Sequence, residues 1–226
     1  MTTLFKNNFK YIKGVLQMSK VTVEPNTKRV IIEGVSDEMI KSLIGDTNLT
    51  ELGKVEPGMV VKAGAFEIIV LEHLKEGTAI LFKDALEERR KFDSDSGNWT
   101  SSDLRHFLNT DFYKQLSAEI GEENIIVHTV DLTTVEGSKK FGTVQDKVSL
   151  LTCHQFSKYH DILTKFKPDK WWWLCTPIDV PNYEDCARAV RDGGVVDCDY
   201  YYGDGGVRPF YILNSSILVS KVRNKL

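Results

Sequence analysis

After the first twenty residues, apolar and polar positions alternate in a way that predicts mainly β-structure. Two β-branched runs, at 21–24 and 29–33, flank a Pro-Asn turn and predict a short hairpin. Ser36 then opens a short helical pattern that Gly45 closes. We therefore expect residues 1–52 to form a small leader and attachment element rather than a catalytic unit.

Residues 53–226 are predicted to form a larger domain of the α+β class. A turn at Glu76-Gly77 joins two apolar runs and predicts an antiparallel hairpin. Strands are predicted at 59–61, 66–71, 78–82, 125–132 and 148–151. One helix is predicted to begin after Ser101 or Ser102, and another around Phe156 and Tyr159.

The C-terminal quarter has a different texture, rich in aromatic residues and glycine. Residues 171–177 predict an aromatic strand that Pro177 ends. Asp192-Gly193-Gly194 separates two further strand patterns and is a strong hairpin signal, because glycine tolerates positive φ. The strands of this quarter are predicted at 187–191, 195–201, 207–213 and 216–220.

The first twenty residues contain four lysines and no acid. Phe5, Phe9, Ile12 and Leu16 recur at helical spacing, which fits an amphipathic anchor that docks on a partner or a membrane surface. The same residues also fit a leader translated upstream of a start at Met18. We favour the leader, because strand-like alternation begins only afterwards.

Composition excludes several classes of protein. The chain has 226 residues, 42% of them hydrophobic, and a net charge of −3. No apolar run approaches the roughly 20 residues that span a bilayer, so we expect no membrane span. The charge balance lacks the basic footprint of a nucleic-acid-binding protein, so no nucleic-acid partner is expected.

The cysteines and histidines form no recognisable metal or redox motif. None of the four cysteines lies in a C-x-x-C pair, and we expect free thiols in a reducing cytosol. A Cys186–Cys198 bridge across the hairpin is a sterically conceivable alternative. Of the histidines only His154 and His160 are close in sequence, and their spacing does not stack them on one helical face.

Familiar catalytic motifs are also missing from the sequence. It contains no G-x-S-x-G, H-E-x-x-H or phosphate-binding G-x-x-x-x-G-K-[ST] pattern. Cys153 precedes His154, but sequence neighbours rarely point at each other, so a packed thiol is the better interpretation. We therefore expect a protein that is not an enzyme and needs no cofactor.

Residues 182–206 concentrate acids, tyrosines and glycines. Six acids and two arginines leave four net negative charges, and clustered carboxylates make calcium binding an open alternative. Four of the eight tyrosines also lie there, a composition typical of recognition surfaces. Because strand neighbours alternate between faces, either Tyr201 or the pair Tyr200 and Tyr202 must face outward.

Ordered motifs across residues 53–215 resemble a domain-of-unknown-function family of Gram-positive gut-type bacteria and their phages. The stretch from Trp99 to Asn109 matches W-x-x-S-D-L-R-x-x-L-N, and Gln145 to Leu151 matches T-x-D-K-V-x-L-L in part. The remaining matches are Trp172-Trp-Leu-x-Thr-Pro177, Gly193 to Val195, and Gly206-Val-Arg-Pro209. Members with the closing motif Gly-Val-Arg-Pro-Phe-x-Ile-Leu-Asn-Ser-Ser-Ile look like phage structural proteins, and Asn214-Ser-Ser-Ile217 matches that version.

The resemblance implies a C-type-lectin-like scaffold, similar to those of formylglycine-generating enzymes and phage variable receptor-binding proteins. Such scaffolds present changeable hairpins on a rigid core, and here Trp172, Trp173 and Leu174 should anchor that core. Arg208 is expected to be structural, bridging carboxylates or loop carbonyls. The oxidase activity is not carried over, because the cysteines do not reproduce a pair that we can place.

These expectations combine into a phage virion protein, made in the host cytoplasm, that acts as an adhesin or decoration protein. The N-terminal segment would attach it to other virion proteins, and the C-terminal hairpins would bind a bacterial surface glycan or protein. A homo-oligomer is expected, because linked copies multiply weak contacts. The predicted contact face consists of Tyr183, Arg188, Arg191, Asp197, Asp199, Tyr201 and Asp204. A thiol- or metal-dependent enzyme on the same scaffold and a bacterial interaction module remain the alternatives.

Overall fold

The computed structural model describes residues 20–24, 29–33, 49–168 and 170–222. The chain divides into two compact units, Met1–Leu49 and Thr50–Leu226. In the first unit β1 (Lys20–Glu24) pairs antiparallel with β2 (Arg29–Glu33), which confirms the predicted hairpin strands. The predicted amphipathic segment before Lys20 and the helix predicted at 36–45 lie outside the described residues.

The remaining strands and the helices have the following bounds. The strands are β3 (Leu49–Glu51), β4 (Val60–Ala63), β5 (Phe66–His73), β6 (Thr78–Phe82), β7 (Ile125–Ile126), β8 (His128–Asp131), β9 (Thr143–Asp146), β10 (Trp172–Trp173), β11 (Cys186–Val190), β12 (Val196–Tyr200), β13 (Phe210–Leu213) and β14 (Leu218–Lys221). The α-helices are α1 (Asp103–Phe107), α2 (Tyr113–Ile120), α3 (Cys153–Lys158) and α4 (His160–Leu163). A π-helical segment, Leu108–Phe112, joins α1 to α2, and 3₁₀ turns occupy Leu52–Lys54, Trp99–Ser101 and Glu122–Asn124.

A seven-stranded sheet organises the second unit, with the strand order β3-β14-β4-β5-β6-β13-β7. Strands β4, β5 and β6 form the predicted antiparallel run, and β13 returns from the end of the chain to pair antiparallel with β6. Strands β10, β11 and β12 form a separate three-stranded sheet, and β8 pairs with β9. The mixture of antiparallel strands and short helices confirms the α+β class.

Both faces of the large sheet are buried at its centre, because side chains of β5 alternate between two cores. Ile68 and Val70 belong to a core that also contains residues of α1 and α2. Ile69 and Leu71 belong to a second core, which holds residues of α3, α4 and β10. All five residues of β6 are buried, as expected for a central strand covered on two sides.

The tertiary structure changes three of the predicted elements. The predicted strand 125–132 is broken at Val127, which is 50% exposed, because β7 pairs with β13 whereas β8 pairs with β9. Residues 148–151 form only an isolated bridge between Ser149 and Phe210. The strand predicted at 171–177 is reduced to the two residues of β10.

The predicted cap of the first helix is observed. The Ser102 hydroxyl accepts a hydrogen bond from the Arg105 backbone N–H at 3.1 Å, which satisfies one of the donors that a helix start leaves unpaired. Helix α3 begins with a capping box formed by Thr152 and Gln155. Within the described residues, no helix is long and apolar enough to cross a membrane.

Candidate functional site

The hairpin β11–β12 forms as the sequence predicts. Its register pairs Cys186 with Tyr200 at one end and Val190 with Val196 at the other. The turn closes through hydrogen bonds from Gly194 N–H to the Arg191 carbonyl and from Arg191 N–H to the Val195 carbonyl, at 2.7 and 2.9 Å. Gly194 has φ +81°, a backbone conformation that favours glycine over other residues.

A tryptophan layer supports this hairpin. Trp172 and Trp173 are buried and pair with Val190 and Ala189 of β11, which confirms the prediction that they anchor the core. The Trp173 indole Nε1 donates to the Arg90 carbonyl at 2.9 Å, so its polar edge is satisfied. Trp171 is only half-buried and meets Trp173 edge-on, with ring centroids 4.7 Å apart.

The structure resolves which tyrosines of the 200–202 run face outward. Tyr200 and Tyr202 are 54% and 49% exposed, and their rings stack with centroids 5.2 Å apart and an interplanar angle of 11°. Tyr201 is half-buried against the first core. Tyr183 is also exposed. The outward pair is therefore Tyr200 and Tyr202, which the predicted contact face omitted although alternation allowed it.

Three residues of the predicted contact face lie together in one ion-pair cluster. Arg191 Nη1 donates to Asp199 at 2.7 Å, its Nε donates to Asp197 at 3.3 Å, and its Nη2 donates to the Cys198 carbonyl. One guanidinium thus pairs with both carboxylates and offsets one of their two negative charges. Among the described residues, no group of three or more His, Cys, Asp or Glu is arranged to hold a metal ion.

The other charged residues of that face lie elsewhere. Arg188 pairs with Cys198 in the register, so it projects from the face opposite to Asp197 and Asp199. Its Nη2 donates to Glu136 at 2.7 Å. Asp204 is exposed, and its backbone carbonyl accepts hydrogen bonds from Arg89 Nε and Nη2. The structure therefore brings Arg191, Asp197 and Asp199 together and separates them from Arg188.

All four cysteines are free thiols. Burial raises the pKa of Cys153 and raises the pKa of Cys175 well above its ordinary value. The pKa of Cys186 is raised to about 11, chiefly by desolvation and then by the neighbouring Cys198. A raised pKa keeps these thiols protonated at neutral pH and makes them weak nucleophiles.

Two of the sequence motifs interlock around Asp146. The buried Asp146 carboxylate accepts a hydrogen bond from Trp99 Nε1 at 2.9 Å and one from Arg105 Nε at 2.7 Å. The Asn109 side-chain oxygen accepts from the backbone N–H groups of Lys147 and Val148, at 2.9 and 3.2 Å. These motif residues fasten α1 to the segment that follows β9, and their role here is structural.

The last motif is also structural, as predicted for Arg208. Arg208 is buried, and its Nε and Nη2 donate to the backbone carbonyls of Phe82 and Lys83, at 3.1 and 2.7 Å. Gly206 allows close approach of the chain, because a Cβ there would lie 2.9 Å from the Trp171 carbonyl oxygen. The motif therefore fixes the end of β6 against the entry to β13.

Comparison with known proteins gives one family match. Neither a curated protein nor a solved structure matches this chain. A family model described as a domain of unknown function, DUF6273, matches residues 76–215, which is more than half of the chain. That segment contains the interlocked motifs around Asp146, the tryptophan layer and the β11–β12 hairpin. The chain therefore belongs to the DUF6273 family.

Proposed function

We propose that this protein is a non-enzymatic binding protein that recognises a bacterial surface ligand, such as a glycan, through the tyrosine end of the β11–β12 hairpin. The observation that carries the proposal is the exposed, stacked pair Tyr200 and Tyr202. Large aromatic rings normally contribute to burial, and an exposed pair with one ordered geometry is typical of a recognition surface.

The hairpin offers this surface at low entropic cost. Tyrosine provides a large contact area with few rotatable bonds, and the stacked rings already restrict each other. The backbone below them is held by hydrogen bonds from Phe92 N–H and Asp93 N–H to the Tyr201 carbonyl, at 2.9 and 3.2 Å. A ligand therefore meets a surface that needs little further ordering.

The setting that we propose is the phage virion, as the sequence resemblance implies. There the domain would be a C-type-lectin-like adhesin or decoration protein, attached to other virion proteins through its N-terminal segment. Presentation as a homo-oligomer would convert individually weak contacts into useful avidity. The proposal includes no cofactor, and calcium has no role in it because Arg191 already pairs with Asp197 and Asp199.

The thiols support binding over the alternative of a thiol-dependent enzyme. An activated cysteine has a lowered pKa, whereas the pKa values of Cys153, Cys175 and Cys186 are all raised. A bacterial interaction module would use the same tyrosine surface on a different target. The identity of the bound partner distinguishes these two settings.

Binding of the purified protein to bacterial cell-wall preparations and to a glycan array tests the proposal. The double variant Tyr200→Ala/Tyr202→Ala should weaken a binding signal at least tenfold while the melting temperature changes little, because both rings are exposed. Val195→Ala is the matched control, since Val195 is exposed at the opposite end of the hairpin. Full binding by the double variant, or no binding to any preparation, would contradict the proposal.

A further inference from the structure

A cavity of about 210 Å³ lies at the other end of the same hairpin. It is bounded by α3 and α4, by the segment that follows α4, and by the β11–β12 turn. Phe156, Leu163 and Trp172 contribute apolar walls, and all three belong to the second core. The volume is below the roughly 300–1,000 Å³ of sites for drug-sized molecules, so it suits a small ligand.

Arg208, a buried cation, is one of the residues that line this cavity. It is 1% exposed, with its guanidinium carbon 5.0 Å from the centre of the Trp172 ring. Nε and Nη2 bind the carbonyls of Phe82 and Lys83. Within residues 49–168 and 170–222, the guanidinium donates hydrogen bonds only through Nε and Nη2, and it forms no ion pair with a carboxylate.

The charge of Arg208 is therefore only partly compensated. Desolvation lowers its pKa to about 10, and the charge of Asp84, which lies beside Lys83, acts in the opposite direction. Two carbonyl dipoles and an aromatic face stabilise a buried guanidinium, but they do not replace a counter-ion. A bound anion would remove this deficit.

The cavity lining also contains lysine side chains. Among the described residues, Lys167, Lys170 and Arg191 line the cavity together with one acid, Asp192. Arg191 already forms ion pairs with Asp197 and Asp199. Lys167 and Lys170 are therefore the lysine side chains in the lining that attract an anionic ligand.

We propose that this cavity binds a small organic carboxylate with an apolar or aromatic body, whose carboxylate pairs with Arg208 and whose body packs against Trp172 and Phe156. A carboxylate matches the one guanidinium and carries a single charge, so its transfer into apolar surroundings costs less than that of a dianion. The site does not depend on the tyrosine surface, because Tyr200 and the β11–β12 turn lie at opposite ends of the hairpin.

Titration of the full chain with benzoate and with its neutral isostere benzamide, followed by NMR, tests this site. Benzoate should shift the Trp172 indole and Leu163 methyl resonances, and benzamide should bind at least tenfold more weakly. Equal binding of the two probes, absence of binding at millimolar benzoate, or shifts confined to other parts of the protein would overturn the proposal. Inorganic phosphate that binds the cavity as tightly as benzoate would overturn the assignment to organic carboxylates.

Substitutions distinguish carboxylate binding at this cavity from binding at the tyrosine surface and from occupation of the cavity by a carboxylate of the chain itself. Arg208→Gln should abolish the preference for benzoate over benzamide; if this variant fails to fold, the probe comparison on the unchanged chain decides. Tyr200→Ala/Tyr202→Ala should leave benzoate binding unchanged, which distinguishes this site from the proposed ligand surface.

Asp169, outside the described residues, separates Pro168 from Lys170 in the sequence. Benzoate binding that emerged only in Asp169→Asn would show that the chain's own carboxylate fills the cavity, and would overturn the proposal.

Discussion

At the scale of single residues, Asp146 is a buried carboxylate that joins two of the sequence motifs. It is 1% exposed and accepts hydrogen bonds from both Trp99 and Arg105. In Asp146→Ala the buried indole N–H and part of the guanidinium lose their acceptor. We expect the free energy of unfolding to fall by about 3–5 kcal/mol, as for other broken buried pairs.

Urea denaturation measures this loss. Asp95→Asn is the matched control, because Asp95 is exposed and should change the free energy of unfolding by no more than about 0.5 kcal/mol. A similar effect of both variants would show that the Asp146 network does not stabilise the fold.

The lowered pKa of Glu72 predicts that the stability of the protein depends on pH. Its pKa is lowered below the ordinary value of 4.5, first by the hydrogen bond from Lys158 and also by the one from Tyr159. A lowered pKa stabilises the folded protein above the ordinary value, and that contribution is lost as the pH falls through the folded pKa. Wild type should therefore exceed Glu72→Gln in stability at pH 7, by less than about 1 kcal/mol because the pair is partly exposed.

Parallel denaturation of wild type and Glu72→Gln between pH 7 and pH 3 checks this sign. The difference between the two proteins should shrink below pH 4.5. Lys54 and Glu51 provide a comparison pair that is more exposed, and Glu51→Gln should show a smaller effect. A difference that grew as the pH fell would contradict the prediction.

The raised pKa of Cys186 predicts that its thiol is alkylated slowly. With its pKa raised to about 11 from an ordinary 9.0, the thiolate fraction at pH 8 is about a hundredfold lower than that of an unperturbed thiol. Alkylation of the native protein, followed peptide by peptide with mass spectrometry, should show Cys186 reacting more slowly than free cysteine. A cysteine that reacted faster than free cysteine would favour the enzyme alternative.

At the scale of elements, Gly97 allows a loop to approach β11 closely. A Cβ at this position would collide with the Cys186 carbonyl oxygen, which is backbone and cannot rotate away. Gly97→Ala should therefore destabilise the protein by about 1–3 kcal/mol through overpacking. Gly193→Ala is the control, because a Cβ there meets nothing within 4 Å.

Thermal or urea unfolding of the two alanine variants compares them directly. Gly193→Ala should be neutral or stabilised by up to about 1 kcal/mol, since alanine reduces the freedom of the unfolded chain. Equal stability of Gly97→Ala and wild type would mean that the loop can move away from β11 without cost.

The elements that could be predicted from the sequence are those that depend on interactions between sequence neighbours. The turn of β11–β12 and the cap at Ser102 depend on residues close in sequence, so the local sequence pattern predicted both. The break at Val127 depends on competition between β13 and β9 for neighbouring segments. Residues 125–132 carry a continuous strand pattern, and no local signal marks the change of partner.

At the scale of the whole molecule, the second unit requires residues that the sequence assigned to the N-terminal element. Leu52 is fully buried, its N–H donates to the Ile217 carbonyl at 2.9 Å, and β3 lies beside β14. A variant lacking residues 1–48 should therefore fold cooperatively. A variant lacking residues 1–54 should lose at least about 2 kcal/mol, because it loses the buried leucine and the edge strand.

Circular dichroism during thermal unfolding compares the two truncations. Similar melting temperatures would show that β3 and Leu52 are dispensable, and a domain beginning at residue 53, as predicted from the sequence, would then suffice. Loss of cooperative folding in the longer variant would place essential contacts within residues 1–48.

The candidate surface shows the same limit of sequence-based prediction. The composition of residues 182–206 pointed to the hairpin, but alternation alone could not choose between Tyr201 and its two neighbours. The choice depends on the core that Tyr201 contacts, which includes residues far away in the sequence. Likewise, the sequence suggested that Asp197 and Asp199 were available to contact a ligand, whereas in the structure both form ion pairs with Arg191.

The sequence by itself determined the strands of the first hairpin, the β4–β6 run, the β11–β12 turn and the buried tryptophans, because periodicity, turn chemistry and apolar bulk act over a few residues. Only the tertiary structure decided which tyrosines face outward, where the strand after Asn124 breaks, and that Arg208 lies beside an apolar cavity without a described counter-ion. Those features depend on contacts between segments that are not neighbours in the sequence, such as the hydrogen bond from Arg208 Nε to the Phe82 carbonyl.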